Sequence, residues 1–215
     1  MAHLNDAEGY AYANGAGGPE HAYQLLAVEE LLAELKPRLA SPRLFDVGCG
    51  NGSVAAWIAS LGWEVTGVDP SVAGIRQANL NHPEICLQQG SAYDDLAGRY
   101  GTFPVVLSLE VVEHVYDPRT YAACLYALLE EGGVAIVSTP YHGYVKNLML
   151  AVTGRMDAHF TALWDYGHVK FWSMKTLAQL LRETGFREIE FRRVGRLACL
   201  AKSMIAIARK RNLPD

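Results

Sequence analysis

The sequence predicts an α/β fold, a doubly wound, mostly parallel seven-stranded sheet that ends in an antiparallel pair of strands. Three observations predict it. Short apolar runs alternate with helical stripes over most of the chain, which is the rhythm of βαβ units and a parallel sheet. Two of those runs, Val105–Leu109 and Val134–Val137, are almost continuously apolar. Strands of that kind are buried on both faces, so helices cover both sides. Two strand-like segments close the chain, Phe186–Val194 and Ser203–Arg209, and they read as an antiparallel pair.

Each element follows in order. Residues 1–20 hold Gly9, Gly15, Gly17 and Gly18 and read as a flexible arm that closes over a ligand with Tyr10 and Tyr12. From 21 to 215 the chain reads as one domain. His21 to Leu35 carries Leu25, Leu26, Val28, Leu31, Leu32 and Leu35 in a helical stripe that Pro37 stops. Leu44–Val47 is a short buried strand, and Ser53–Leu61 is a helix with Ser53 at its N-cap. Glu64–Val68 and Ser71–Leu80 repeat the pair, and Ile85–Gln88 is the third strand. Pro104–Leu109 is the fourth. Asp117-Pro118 starts a helix over Arg119–Leu129, which Gly132-Gly133 closes before the fifth strand, Val134–Ser138. The rhythm then breaks. Residues 141–172 are long, aromatic and histidine-rich, which marks a substrate cap rather than a connection. Ser173–Thr184 returns to a helical stripe before the closing strands.

Composition excludes several classes. Of 215 residues half are hydrophobic and a fifth charged, with 19 basic against 23 acidic side chains and a net charge of −4. That is an ordinary globular composition with no surplus of cations for nucleic acid. Cys49, Cys86, Cys124 and Cys199 form no CxxC pair and no zinc spacing, so the reducing cytoplasm is the expected compartment. No run of ~20 apolar residues predicts a spanning helix, and the first 18 residues lack the basic and apolar regions of a secretory signal.

The chemical signal is Asp46-Val47-Gly48-Cys49-Gly50-Asn51-Gly52, where a strand runs into a glycine turn that opens a helix. Glycine lets backbone adopt positive φ or come close to a ligand, and a helix start offers unpaired N–H groups. Asp69 ends the second strand 21 residues after Gly48. An acid there can accept hydrogen bonds from a ribose diol. Dinucleotide sites use G-x-G-x-x-G, whereas this chain has G-x-G-x-G preceded by Asp46. A carboxylate beside the loop repels a pyrophosphate and suits a cationic ligand. The residues therefore lean to S-adenosylmethionine, and a nicotinamide dehydrogenase is disfavoured.

That glycine motif resembles the first motif of class I S-adenosylmethionine-dependent methyltransferases. Val68-Asp69-Pro70-Ser71 is similar to their second-strand acid, and Gln89-Gly90-Ser91-Ala92 to the loop that meets adenine. Ser108-Leu109-Glu110-Val111-Val112-Glu113-His114-Val115 and Ser138-Thr139-Pro140 resemble the branch holding the ubiquinone-pathway O-methyltransferases. The resemblance implies a Rossmann-like methyltransferase fold with Asp46, Gly48, Cys49, Gly50, Gly52, Asp69, Pro70, Ser91, Ala92, Leu109 and Glu110 around the cofactor. One departure stands out. Relatives often carry an acid directly after the adenine-loop glycine, and this chain has Ser91 there, with Asp94 and Asp95 later. The expected contact is the backbone or hydroxyl of Ser91, with Ala92 packing nearby.

The acceptor is expected to be a small molecule, methylated on a hydroxyl by in-line displacement. A hydroxyl near pKa 10 needs a base. His142 and His168 are the candidates, with His159 behind them and His114 a structural residue. Tyr141, Trp164, Tyr166 and Phe171 are expected to grip the acceptor. No HExxH motif or i, i+4 histidine pair occurs, so no metal is predicted, although the resemblance includes metal-dependent relatives. Lys146 to Trp164 mixes apolar and basic residues, which reads as a substrate lid or, less simply, as a patch touching lipid. Arg187, Arg192, Arg193 and Arg196 read as the solvated face of an edge strand. Two alternatives remain at this point: methylation of nitrogen or carbon, and a methyltransferase-like subunit without turnover.

Overall fold

The computed structural model describes residues 22–165, 167–195 and 197–211. The expected arm at 1–20, Tyr166 and Arg196 lie outside the described residues. The chain runs α1 (Ala22–Leu35), β1 (Arg43–Val47), α2 (Ser53–Ser60), β2 (Glu64–Asp69), α3 (Val72–Asn81), β3 (Cys86–Gln89), α4 (Leu96–Tyr100), β4 (Phe103–Leu109), α5 (Pro118–Leu128) and β5 (Leu129–Pro140). It continues through α6 (Tyr144–Val152), α7 (Met156–Phe160), α8 (Met174–Thr184), β6 (Arg187–Val194) and β7 (Ser203–Arg209).

The seven strands form one sheet in the order β3-β2-β1-β4-β5-β7-β6. The first five pair in parallel, and β7 runs antiparallel between β5 and β6. The expected fold class is what the chain adopts. Successive residues of a strand face opposite sides of a sheet, and the core divides accordingly. Phe45, Val47, Val106, Ala135 and Val137 point to one layer with Leu125, Leu128 and Leu181. Leu44, Val105, Leu107, Val134 and Ile136 point to the other with Val28, Leu32 and Ile58. Apolar residues are thus required at consecutive strand positions, which is why those runs lack alternation.

Three local features differ from expectation. Gly52, not Ser53, occupies the N-cap of α2, and the Asn51 side chain accepts the Ser53 N–H at 3.2 Å. The fifth strand begins at Leu129, because Leu129 pairs with Phe103 across an irregular register before the regular ladder resumes at Val134. The five-residue α4 has no counterpart in the sequence reading, since it buries only Leu96.

The strand order reverses beside β1, whose neighbours are β2 and β4. Ligands of open α/β sheets bind at such a switch point, beyond the carboxyl ends of the strands. The segment 141–172 leaves β5 at that end. Its last segment is fastened to the turn after β4: Val169 and Lys170 both donate N–H groups to the Glu113 carbonyl at 2.9 Å. Trp172, 9% exposed, donates its indole N–H to the Val112 carbonyl at 3.0 Å. Trp172→Ala is expected to cost about 3–5 kcal/mol in urea unfolding, and Trp172→Phe about 1 kcal/mol for the lost hydrogen bond.

Candidate functional site

The crevice at the switch point is built by β1, β2 and the turns that follow them. Gly48, Gly50 and Gly52 have φ of 89°, 56° and 79°. A side chain at Gly48 would also run into Val111, and a Cβ at Gly52 would lie 2.7 Å from Leu87 Cδ1. The loop is pinned to β2, because the Gly48 and Cys49 N–H groups both donate to the Val68 carbonyl, at 2.8 and 3.0 Å. Asp69 ties the loop to the next helix. One carboxylate oxygen accepts the Gly50 N–H at 2.9 Å and the other accepts the Ser71 N–H at 2.8 Å. Ser71 then caps α3 by accepting the Gly74 N–H. Asp69 is 5% exposed.

Asp46 is buried in β1. Burial, and then the charge of Asp69, push its carboxyl up to about 7. Cys49 packs beneath the loop, and burial pushes its thiol well up, so it is not a nucleophile.

The far wall of the crevice carries Pro70, Gly90, Ser91, Ala92, Val111 and His114. The Ser91 N–H is already held by Asp94 at 2.8 Å, while its hydroxyl oxygen accepts the Tyr93 N–H at 3.2 Å. The Ser91 carbonyl in turn accepts the Asp94 N–H at 3.0 Å. Asp95 caps α4. Leu109 is half-buried at the end of β4. Glu110 has φ of 55° and accepts from Gln24 at 2.6 Å and Ser138 at 2.8 Å. It is therefore held at the rim rather than solvated.

The histidines fall into two groups. His114 meets His168 with ring centroids 4.9 Å apart, and Trp164 lies edge-on to His168 at 5.3 Å. His168 Nε2 is 3.9 Å from a Glu113 oxygen. Glu113 is 1% exposed, and neither oxygen has a hydrogen-bond partner among the described residues. Burial and then Glu110 push its carboxyl well up. Burial, then His114 and His159, push His168 down to about 4. The second group joins His142 to His159 at 5.4 Å, Phe171 at 5.1 Å and Phe160 at 5.8 Å. Burial, then Lys146 and His159, push His142 down to about 4 as well. Tyr141 belongs to neither group: it is 7% exposed and packs into the core layer beside Trp172.

With this geometry in hand, the comparisons decide the family. A family model described as a methyltransferase domain matches residues 20–190. The chain belongs to that methyltransferase family. A ubiquinone biosynthesis O-methyltransferase of Cereibacter sphaeroides is 34% identical over 179 residues, covering 75% of this chain and 69% of that protein. One of a Caulobacter species is 40% identical over 126 residues, covering 57% of this chain and 48% of that protein. Among solved structures, magnesium protoporphyrin IX methyltransferase from Synechocystis, with bound S-adenosylhomocysteine, aligns at a TM-score of 0.68. The identity there is 18%, over 93% of this chain and 90% of that one.

In this methyltransferase, the triad Glu113, His114 and His168 escaped sequence reasoning. Their ligating atoms lie within 4.8 Å of one another. Two of them are adjacent, but His168 arrives from the far end of the cap, so no spacing rule finds it. The signal the sequence does hold is the adjacent Glu113-His114 at the turn after β4. Among the described residues no helix is long and apolar enough to cross a membrane.

Proposed function

We propose that this chain transfers the methyl group of S-adenosylmethionine to a hydroxyl of a small molecule, with His168 as the general base. The observation that carries the reading is the contact of His168 with His114 on the crevice wall, backed by Glu113. The O-methyltransferase names of the relatives support it.

In this reading Asp69, at the carboxyl end of β2, accepts the ribose hydroxyls, beside Pro70. The open turn at Gly48, Cys49, Gly50 and Gly52 lets the methionine part lie against backbone. Ser91 and Ala92 meet the adenine, and Leu109 and Glu110 close the rim. The sulfonium is an activated leaving group, so the protein mainly positions and dehydrates. Holding the acceptor oxygen ~3 Å from the methyl carbon, in line with sulfur, lowers the barrier by several kcal/mol. The C–S bond breaks as the C–O bond forms. The acceptor proton passes to His168, and the positive charge that leaves sulfur reappears on the imidazole. His142 and Phe171 grip the acceptor, with Trp164 over His168.

A second reading rests on one observation. The oxygens of buried Glu113, which have no hydrogen-bond partner among the described residues, fit a divalent cation together with His114 and His168. Such an ion would polarise the acceptor hydroxyl in place of a base. Chelation separates the two readings: activity that survives it belongs to His168, and activity lost to it and restored by a divalent ion belongs to the cation.

The assay uses a labelled methyl group against a panel of phenols, hydroxylated natural products and sugars. An ether product supports the proposal. Label found only on nitrogen or carbon overturns the hydroxyl reading, and cofactor binding without turnover on any acceptor leaves a binding subunit.

Asp46 makes cofactor affinity depend on pH. A bound sulfonium and ammonium favour the ionised carboxylate, so binding takes up free energy from the deprotonation of Asp46. Affinity should fall as pH drops through about 7, by at most tenfold per pH unit, and level off above it. Calorimetry of wild type and Asp46→Asn checks this: the variant's affinity should stay flat.

A further inference from the structure

At the other end of the sheet, where β5 and β6 begin and β7 ends, five cations line a cavity of about 750 Å³. Arg38 comes from the turn after α1, Arg187 opens β6, Arg209 closes β7, and Lys210 and Arg211 follow it. The pairing there is costly. Arg187 and Arg209 sit directly opposite each other on antiparallel strands, and like charges so placed repel. Glu188 relieves Arg209 alone, at 3.3 Å, from a bulged position with φ of 47° that a side-chain-bearing residue rarely takes. Glu131 relieves Lys210, also at 3.3 Å. Arg38, Arg187 and Arg211 make no ion pair among the described residues. On a chain whose net charge is −4, this concentration is local, and nothing in the methyl-transfer reading uses it.

We propose that this cavity is a second binding site, for a compact polyanion that carries two adjacent phosphates. Guanidinium forks match phosphate oxygens two at a time. A single phosphate carries at most about two negative charges, which leaves one of the three unpaired arginines unmatched, whereas a diphosphate matches all three. The five cations gather round one open cavity rather than along a stripe, which suits a compact anion. The site lies at the amino ends of the parallel strands and the crevice at their carboxyl ends, so the two can be tested separately.

The test is calorimetry of the full chain at low salt with pyrophosphate, uridine diphosphate, inorganic phosphate and citrate. Pyrophosphate should bind with a dissociation constant below about 1 mM, more tightly than phosphate or citrate, and more weakly as salt rises. Uridine diphosphate binding more tightly than pyrophosphate supports a nucleotide as the source, and equal affinity supports recognition of the diphosphate alone. Arg187→Ser with Arg211→Ser should weaken pyrophosphate by roughly tenfold or more. Binding of S-adenosylhomocysteine by the same variant should be unchanged, which shows that it folds. No heat from pyrophosphate, citrate binding as tightly as pyrophosphate, or undiminished affinity in the double variant overturns the site.

Discussion

Replacing Asp69 by Ala is expected to weaken S-adenosylhomocysteine binding by a hundredfold or more, equivalent to about 2.7 kcal/mol. It should also destabilise the fold by about 2–4 kcal/mol. Both effects have the same origin. The carboxylate is the common acceptor for Gly50 of the glycine loop and Ser71 at the head of α3. Its removal strands two N–H groups in a place 5% exposed, and each costs about 1–3 kcal/mol when left unpaired. The loop then loses its tether on the side where the ribose is proposed to lie. Asp69→Asn keeps one acceptor oxygen but turns an amide donor toward a backbone donor, so it should fall between Ala and wild type. There is a further signature. The charge of Asp69 helps hold the Asp46 carboxyl up near 7, so Asp69→Ala should move any remaining pH dependence of binding to lower pH. Affinity within threefold of wild type for Asp69→Ala would falsify the cradle.

The contrast between this acid and the histidines explains what the sequence made legible. The glycine loop can be read because its constraint is local: Gly48, Gly50 and Gly52 all hold positive φ, and Gly48 and Gly52 also leave no room for a side chain. The strands can be read because double-sided burial demands apolar residues in succession. Asp117-Pro118 could be read as a helix start for the same local reason, whereas Ser173, read as the first residue of its helix, is the N-cap. Position in the cap is different. Whether Trp164 or Tyr141 faces an acceptor depends on how residues 141–172 return, and that is fixed by long-range bonds such as those from Val169 and Lys170 to Glu113. Tyr141, expected to grip the acceptor, follows β5 directly, and its ring lies in the core layer. The arginine run was also only half legible. Arg192 is not simply solvated, since it reaches Glu30 and Glu34 of α1.

His168→Ala should lower kcat by about 10²–10⁴, the usual share of a positioned base, and leave cofactor affinity within about twofold. The asymmetry follows from position. His168 touches His114 and Glu113, and the contacts proposed for the cofactor belong to Asp69, Ser91 and the glycine loop. Burial keeps His168 neutral down to about 4, so the base is in its working form across the physiological range. With the folded pKa below the ordinary value of about 6.5, kcat should stay level as pH falls through 6 and drop only as it approaches 4. Glu113 strengthens the case. Burial raises its carboxyl, and one of its oxygens lies 3.9 Å from the His168 ring nitrogen. In its ionised form a carboxyl so placed stabilises the imidazolium as it forms, which gives a weak resting base a stronger pull in the transition state. Glu113→Gln should therefore lower kcat with little change in KM and move the acid limb of the profile. His142→Ala, in the separate aromatic group, should instead raise KM for the acceptor. If His168→Ala keeps full kcat while chelation abolishes it, the proton leaves by way of a cation at Glu113 and His114, and His168 serves only to complete its shell.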